Sequence, residues 1–341
     1  MPTLSRRAAI TGGAFALASG LGASRWEGVW ARPRAPAPRF RLGINLAGAS
    51  FKKIGGRWAW PKLDNLRYYL DKGFNVFRVS FNWDRLQPQL NGPLLENALT
   101  GLDEIVSLAT GARAVVVLDS HDYGRWEGQL IAGPGSSVSA ADFADFWGKL
   151  ARRYRSNDLI WYNLMNEPHD EDPLVNLMAQ NAACAAIRAA GAESKVLFSG
   201  TAWTGASTWL KSGNAEMMLQ AHDPANNFAF DVHQYIDEGS GGAAKGPALP
   251  GIGSRVLKDI YAWARQHRRQ VFLGEFASSQ YPASLAELKA LLVFMMNRPD
   301  VFIGATYFAG GGTWGKSLRS SDPVNGVDKP QTRLMQQFLS R

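Results

Sequence analysis

The sequence predicts a single α/β domain, a (β/α)8 barrel of the TIM type. Three observations carry this reading. Short apolar runs and amphipathic segments alternate eight times from residue 40 onward, the apolar runs are as short as strands covered on both faces, and several of them end on polar residues. A chain of 341 residues with 46% hydrophobic and 19% charged residues can fill the core that such a barrel needs.

The strands are read at Leu42 to Leu46, Val76 to Phe81, Ala114 to Ser120, Leu159 to Met165, Val196 to Gly200, Ala229 to Gln234, Val271 to Phe276 and Phe302 to Phe308. Helical periodicity lies between them at Leu63 to Lys72, Leu95 to Ala109, Ala140 to Tyr154, Pro173 to Ala190, Arg255 to His267 and Ala283 to Met296. The fifth connection, Trp203 to Gly213, carries the faintest helical pattern. Gly73 and Gly191 follow their helices where a left-handed cap is wanted, and Asp142 stands near a helix start. Gly239 to Gly253 reads as a loop after the sixth strand, free to form a cleft wall.

Residues 1–31 read as an export signal, 32–39 as a Pro/Arg-rich lead-in and 40–341 as the barrel domain. Ser5-Arg6-Arg7 precedes an apolar stretch from Ala8 to Ala23, and Val29-Trp30-Ala31 has the small-residue spacing of a cleavage site. The paired arginines suit a twin-arginine signal, although Ala9 and Ile10 stand where a bulky apolar pair is usual. That stretch is about 16 residues, short of the roughly 20 that span a bilayer, so a stable membrane anchor is not expected. The protein is expected in the periplasm or outside the cell, as a monomer.

Cys184 is alone, which rules out an internal disulfide and suits export in a folded state. The five histidines are scattered, with no paired spacing that would hold a metal. Net charge is +8, and removing residues 1–31 takes away three arginines and one glutamate to leave +6. No run of five or six basic residues exists, so a nucleic-acid stripe is not expected. Some of the twelve tryptophans are expected in the core, but so many indoles in one domain also suit a cleft that stacks on flat, polar rings.

Polar residues gather at the carboxyl ends of the strands, where α/β barrels carry their chemistry. The second strand offers Arg78, the third Asp119-Ser120-His121-Asp122-Tyr123, the sixth His233-Gln234-Tyr235, and the eighth Tyr307-Phe308 followed by Gly310-Gly311-Gly312-Thr313-Trp314. Two carboxylates stand out. Glu167 is held by Asn166-Glu167-Pro168 after a buried strand that proline cannot continue, and Glu275 follows Gly274 on the seventh strand. Arg78 is read as the partner of an acid, and His121 and His233 either as satisfied core histidines or as site groups. Two carboxylates without a metal favour glycosidic bond hydrolysis, one protonated to serve the leaving oxygen and one ionised to attack the anomeric carbon. The residues alone do not say which is which. Tyr235 is placed to hold the nucleophile, Asn166 to bind a sugar 2-hydroxyl, and Tyr123, Trp126, Trp203, Phe308 and Trp314 to contact sugar rings.

At these residues the chain resembles glycoside hydrolase family 5, and within it the endo-β-1,4-glucanase (cellulase) branch. The resemblance rests on Gly43-Ile44-Asn45-Leu46-Ala47-Gly48, Phe77-Arg78-Val79, Leu118 to Tyr123, Asn163 to His169, Val232 to Tyr235 with Asp237, and Gly274-Glu275-Phe276. It implies a retaining endoglucanase acting on cellulose or a related soluble β-glucan, with Glu167 as acid/base and Glu275 as nucleophile. It also implies support from Arg78, His121, Asn166, His233 and Tyr235, and no cofactor. In that arrangement Arg78 keeps Glu275 charged, and burial beside a negative neighbour is expected to raise the pKa of Glu167. Alternatives are a β-mannan, xyloglucan or exopolysaccharide hydrolase or transglycosylase of the same family, and a glycan-binding barrel without catalysis. Three departures from the family pattern bear on substrate. Asp122 replaces an asparagine, adding a negative charge near the cleft, Phe308 replaces a tryptophan beneath the cleaved sugar, and the loop Gly239 to Gly253 lacks a cysteine.

Overall fold

The computed structural model describes residues 40–50, 53, 54, 57–237, 246–312, 314 and 317–339. The export signal, the lead-in and part of the loop between Gly239 and Gly253 lie outside the described residues.

Eight strands form a closed parallel barrel: β1 Arg41–Leu46, β2 Val76–Phe81, β3 Val115–Ser120, β4 Ile160–Asn163, β5 Val196–Ser199, β6 Phe228–His233, β7 Val271–Phe276 and β8 Phe302–Gly310. Each pairs with the next in sequence, and β8 closes on β1 through the register Arg41 to Gly304 and Ile44 to Tyr307. The helices are α1 Leu63–Asp71, α2 Glu96–Gly111, α3 Ala140–Tyr154, α4 Pro173–Ala189, α5 Asn214–Met217, α6 Lys258–Gln266, α7 Pro282–Met296 and α8 Pro330–Gln336. This is the (β/α)8 barrel that the alternating pattern predicts.

Local chemistry explains the boundaries. Ser139 and Asp142 form a reciprocal capping box at the start of α3, and Asp172 accepts the Leu174 N–H ahead of Pro173 in α4. β4 ends at Asn163, two residues before the predicted Met165, although the Asn166 N–H still donates to Ser120 at 2.7 Å. The connection from Trp203 to Gly213 is turns around a buried Trp209, and its helix is a single turn that begins only at Asn214. The predicted helix from Arg255 is divided, with a short turn at Ile252–Arg255 before α6. A small hairpin, Arg125–Trp126 with Gln129–Leu130, and the closing helix α8 have no counterpart in the sequence reading.

The barrel interior changes character along its axis. Val76, Val115, Val117, Leu197, Ala229, Phe272 and Ile303 form an apolar cluster, with Trp161 packed against it. Side chains repeat direction every second residue in a strand, so the next positions on the same faces are Arg78, Asp119, Asn163, Ser199 and Asp231, all buried. A polar layer therefore stands on an apolar plug, at the end where the strands deliver their carboxyl termini. Among the described residues no helix is long and apolar enough to cross a membrane.

Candidate active site

Arg78 is the hub of the polar layer, and its side chain is fully buried. Its Nη1 donates to Glu275 Oε1 at 2.8 Å and to Asn45 Oδ1 at 3.0 Å. Its Nη2 donates to Asp119 Oδ1 at 2.9 Å and to Asn166 Oδ1 at 2.7 Å, and its Nε to Asn163 Oδ1 at 2.9 Å. Burial alone would lower the Arg78 pKa, but Asp119, Glu275 and Asp231 outweigh it and hold the guanidinium charged.

Glu275 is aimed by an irregularity in the sheet. The β6–β7 register shifts so that Gly274 is skipped and Glu275 pairs with His233, and the β7–β8 register shifts between Leu273 and Phe276, so Glu275 sits in an irregular stretch against β8. Gly274 is required beside it, because a Cβ there would collide with the Asp231 carboxylate. Both Glu275 oxygens accept hydrogen bonds, Oε1 from Arg78 and Oε2 from the Tyr235 hydroxyl at 2.6 Å. Burial, Glu275 and Glu167 push the Tyr235 pKa well above its usual value, which keeps it a donor.

Glu167 lies past the end of β4 with a left-handed φ of 42°, a costly conformation for a residue with a Cβ and one that collects at functional positions. Its Oε1 is 2.7 Å from His233 Nδ1, and His233 Nε2 is 3.3 Å from Asp231 Oδ2. Burial alone would lower the His233 pKa, but Glu275, Asp231 and Glu167 outweigh it and push it up to about 10. The expected rise at Glu167 is reversed. Burial does raise its pKa, yet the hydrogen bond and charge of His233, with His121 and Arg78, outweigh burial and hold the carboxyl below its usual range. The two shifts, His233 upward and Glu167 downward, both favour the ion pair across one 2.7 Å hydrogen bond.

His121 donates from Nδ1 to Asp119 Oδ2 at 2.8 Å, and its Nε2 is 3.3 Å from the Tyr123 hydroxyl. Asn166 gives its oxygen to Arg78, while its buried Nδ2 has no partner and remains a donor for a ligand. The structure thus brings Arg78, His121, Asn166, Glu167, His233, Tyr235 and Glu275 into one network. Asn45, Asn163 and Asp231 belong to it too and had no role assigned from sequence. Asp231 was detectable, since it precedes His233 by two residues and so shares its strand face, as Asp119 does with His121.

The aromatic residues divide. Trp203 stands 51% exposed at the rim. Phe308 and Trp314 meet edge to face at 5.0 Å and share a small cluster with Ala47 and Tyr235, so the position beneath the cleft is a two-ring corner. Trp126 offers no platform. Its ring is buried against Trp83 and donates to the Gln87 carbonyl oxygen at 3.4 Å, because the hairpin folds it inward. Asp122 lies beside His121 and Tyr123, near the cleft as expected, but its carboxylate is engaged. Its oxygens accept from Ser120, Asn82 and the Trp83 N–H, tying it to the start of the short helix Trp83–Leu86 that follows β2. Burial, partly offset by those bonds, pushes its pKa up to about 7.

One ligand atom each from Glu167, His233 and Glu275 lies within 4.8 Å of the others, close enough for a cation. Arg78 donates to Glu275 and His233 lies on Glu167, so both acids already have partners within the protein.

A family model described as Cellulase (glycosyl hydrolase family 5) matches residues 42–310. The endo-beta-1,4-glucanase A of Emericella nidulans is 34% identical over 294 residues, covering 84% of this chain and 88% of that one. The solved structure of XacCel5A in complex with cellopentaose aligns with a TM-score of 0.83 at 32% identity, covering 87% of this chain and 98% of that one. The endo-beta-1,4-glucanase Xac0029 from Xanthomonas axonopodis pv. citri aligns with a TM-score of 0.84 at 30% identity, over 88% and 98%.

Proposed function

The chain belongs to glycosyl hydrolase family 5, the cellulase family, and on that premise we propose that it is a retaining endo-β-1,4-glucanase acting on cellulose or a related soluble β-glucan. One observation carries the mechanism: ligand oxygens of Glu167 and Glu275 lie within 4.8 Å of each other. Retaining pairs stand about 5 to 5.5 Å apart, whereas inverting pairs leave roughly 6.5 to 9.5 Å for a water.

Glu275 attacks the anomeric carbon as Glu167 protonates the departing oxygen, forming a glycosyl ester. Glu167, then a carboxylate, takes a proton from water as that water breaks the ester. His233 Nδ1, 2.7 Å from Glu167 Oε1, is placed to exchange a proton with the acid, and a bound sugar that strips solvent from the pair favours the neutral form in which Glu167 carries that proton. Asn166 Nδ2, which has no protein partner, donates to the sugar 2-hydroxyl. Phe308, Trp314, Tyr123 and Trp203 line the path of the chain of rings. Residues 1–31 act as the export signal, in keeping with a polymer substrate too large to enter a cell.

The test is initial rates of reducing-end release from purified β-glycans. Carboxymethylcellulose and mixed-linkage glucan are expected to be fastest. Preference for mannan, xyloglucan or a bacterial exopolysaccharide would move the substrate while leaving the mechanism. Tight binding of cello-oligosaccharides without turnover would leave a glycan-binding barrel.

A further inference from the structure

Aromatic rings continue from the polar layer to the rim in one connected series. Tyr123 sets its edge against His121, centroids 5.3 Å apart, and against His169, 5.9 Å apart. His169 then lies face to face with Trp203, centroids 4.7 Å apart and planes 15° from parallel. His169 is fixed by polar contacts as well. Its Nδ1–H donates to the Glu167 carbonyl oxygen at 3.1 Å, which leaves Nε2 to accept from Arg125 Nη1 at 3.5 Å.

Trp203 is held just as deliberately. It stands in three consecutive left-handed residues, Ala202, Trp203 and Thr204, with φ of 53°, 56° and 48°. Such backbone costs energy in each residue and persists only when its surroundings enforce it. Thr204 Oγ1 donates to the Asp231 carbonyl oxygen at 2.6 Å, and the Trp203 N–H donates to the Pro168 carbonyl oxygen at 3.0 Å. The result is an indole held against an imidazole, yet 51% exposed, and that imidazole is itself bonded to the Glu167 carbonyl oxygen.

We propose that His169 is a positioning residue for the leaving-group half of the substrate, holding Trp203 as the platform on which the sugar beyond the cleaved bond stacks. This rests on the reading of Glu167 as proton donor, since the departing sugar lies on the side to which that proton is delivered. A ring at residue 169 sets the plane of the platform through its face-to-face stack on the indole.

The experiment compares kcat/KM for cellopentaose with kcat/KM for β-cellobiosyl fluoride, whose leaving group has no ring, in His169→Ala, His169→Asn and His169→Phe. The ratio of the two is expected to fall about five- to tenfold in the Ala and Asn variants, the scale of one aromatic pair, chiefly through KM. The Phe variant, which keeps the ring and loses the N–H, is expected to stay within about twofold of the unsubstituted protein. In a Trp203→Ala background, His169→Ala is expected to add no further loss. An unchanged ratio in the Ala variant, rescue by Asn and not by Phe, or an equal further loss in the Trp203→Ala background would each overturn the proposal. Failure of the underlying reading looks different: the unsubstituted protein would not cleave cellopentaose, or Glu167→Gln would cleave it at full rate.

Discussion

The network around Arg78 and the aromatic rim above it share one barrel mouth and are held in different ways. Arg78, Asp119 and Asp231 are fully buried on strands, and Arg78 makes five hydrogen bonds to side chains from β1, β3, β7 and the residues in and after β4. Trp203 and Trp314 stand on connections, and Trp203 owes its place to a turn and a ring stack. Strands fix the chemistry because many neighbours determine each group. Loops fix which sugar reaches it, and there a single ring changes the outcome.

That contrast can be broken experimentally. Glu275→Gln is expected to lower kcat by more than about 10⁴-fold with KM little changed, the scale on which loss of a nucleophile is felt. A comparable loss in KM would mean that the network binds and does not react. Arg78→Met leaves buried acids uncompensated and is expected to cost about 3–5 kcal/mol of stability in denaturant unfolding. An unchanged midpoint would mean that water or rearrangement replaces the guanidinium.

The His233 pair is tested by pH. Its folded pKa of about 10 exceeds the ordinary 6.5, so its stabilising contribution is complete below pH 6.5 and is lost as pH rises through about 10. Glu167 and Asp231, both depressed, contribute in the opposite sense and lose their share as pH falls through the carboxylate range. His233→Asn is expected to flatten the alkaline decline in Tm between those limits. A decline identical to that of the unsubstituted protein would assign it to other groups. The smallest effect is expected at Phe308, a buried residue near the end of β8 that packs on Trp314, where Phe308→Trp should lower KM for cello-oligosaccharides by about two- to fivefold with kcat nearly constant. A change confined to kcat would mean that residue 308 acts on the Arg78 network and not on sugar binding.

The barrel was legible in the sequence because strand and helix periods differ and because buried strands end abruptly on polar residues. Arg78, Glu167, His233 and Glu275 were visible for the same reason. What escaped depends on partners far along the chain. Glu167 and His233 are 66 residues apart, and their hydrogen bond reverses the pKa shift that burial of Glu167 suggests. Trp126 and Trp203 are both loop tryptophans, and no local pattern says that one folds against Trp83 while the other is held open. Asp122 reads as a cleft charge until Asn82 and Trp83, forty and thirty-nine residues earlier, are seen to claim its oxygens.

The central claim is that Glu167 and Glu275 act as an acid/base and nucleophile pair across one bond. Proton NMR of the first product formed from cellopentaose, recorded before mutarotation, tests it most directly. A new reducing end that appears as the β-anomer is the expected result, and an α-anomer would contradict the account.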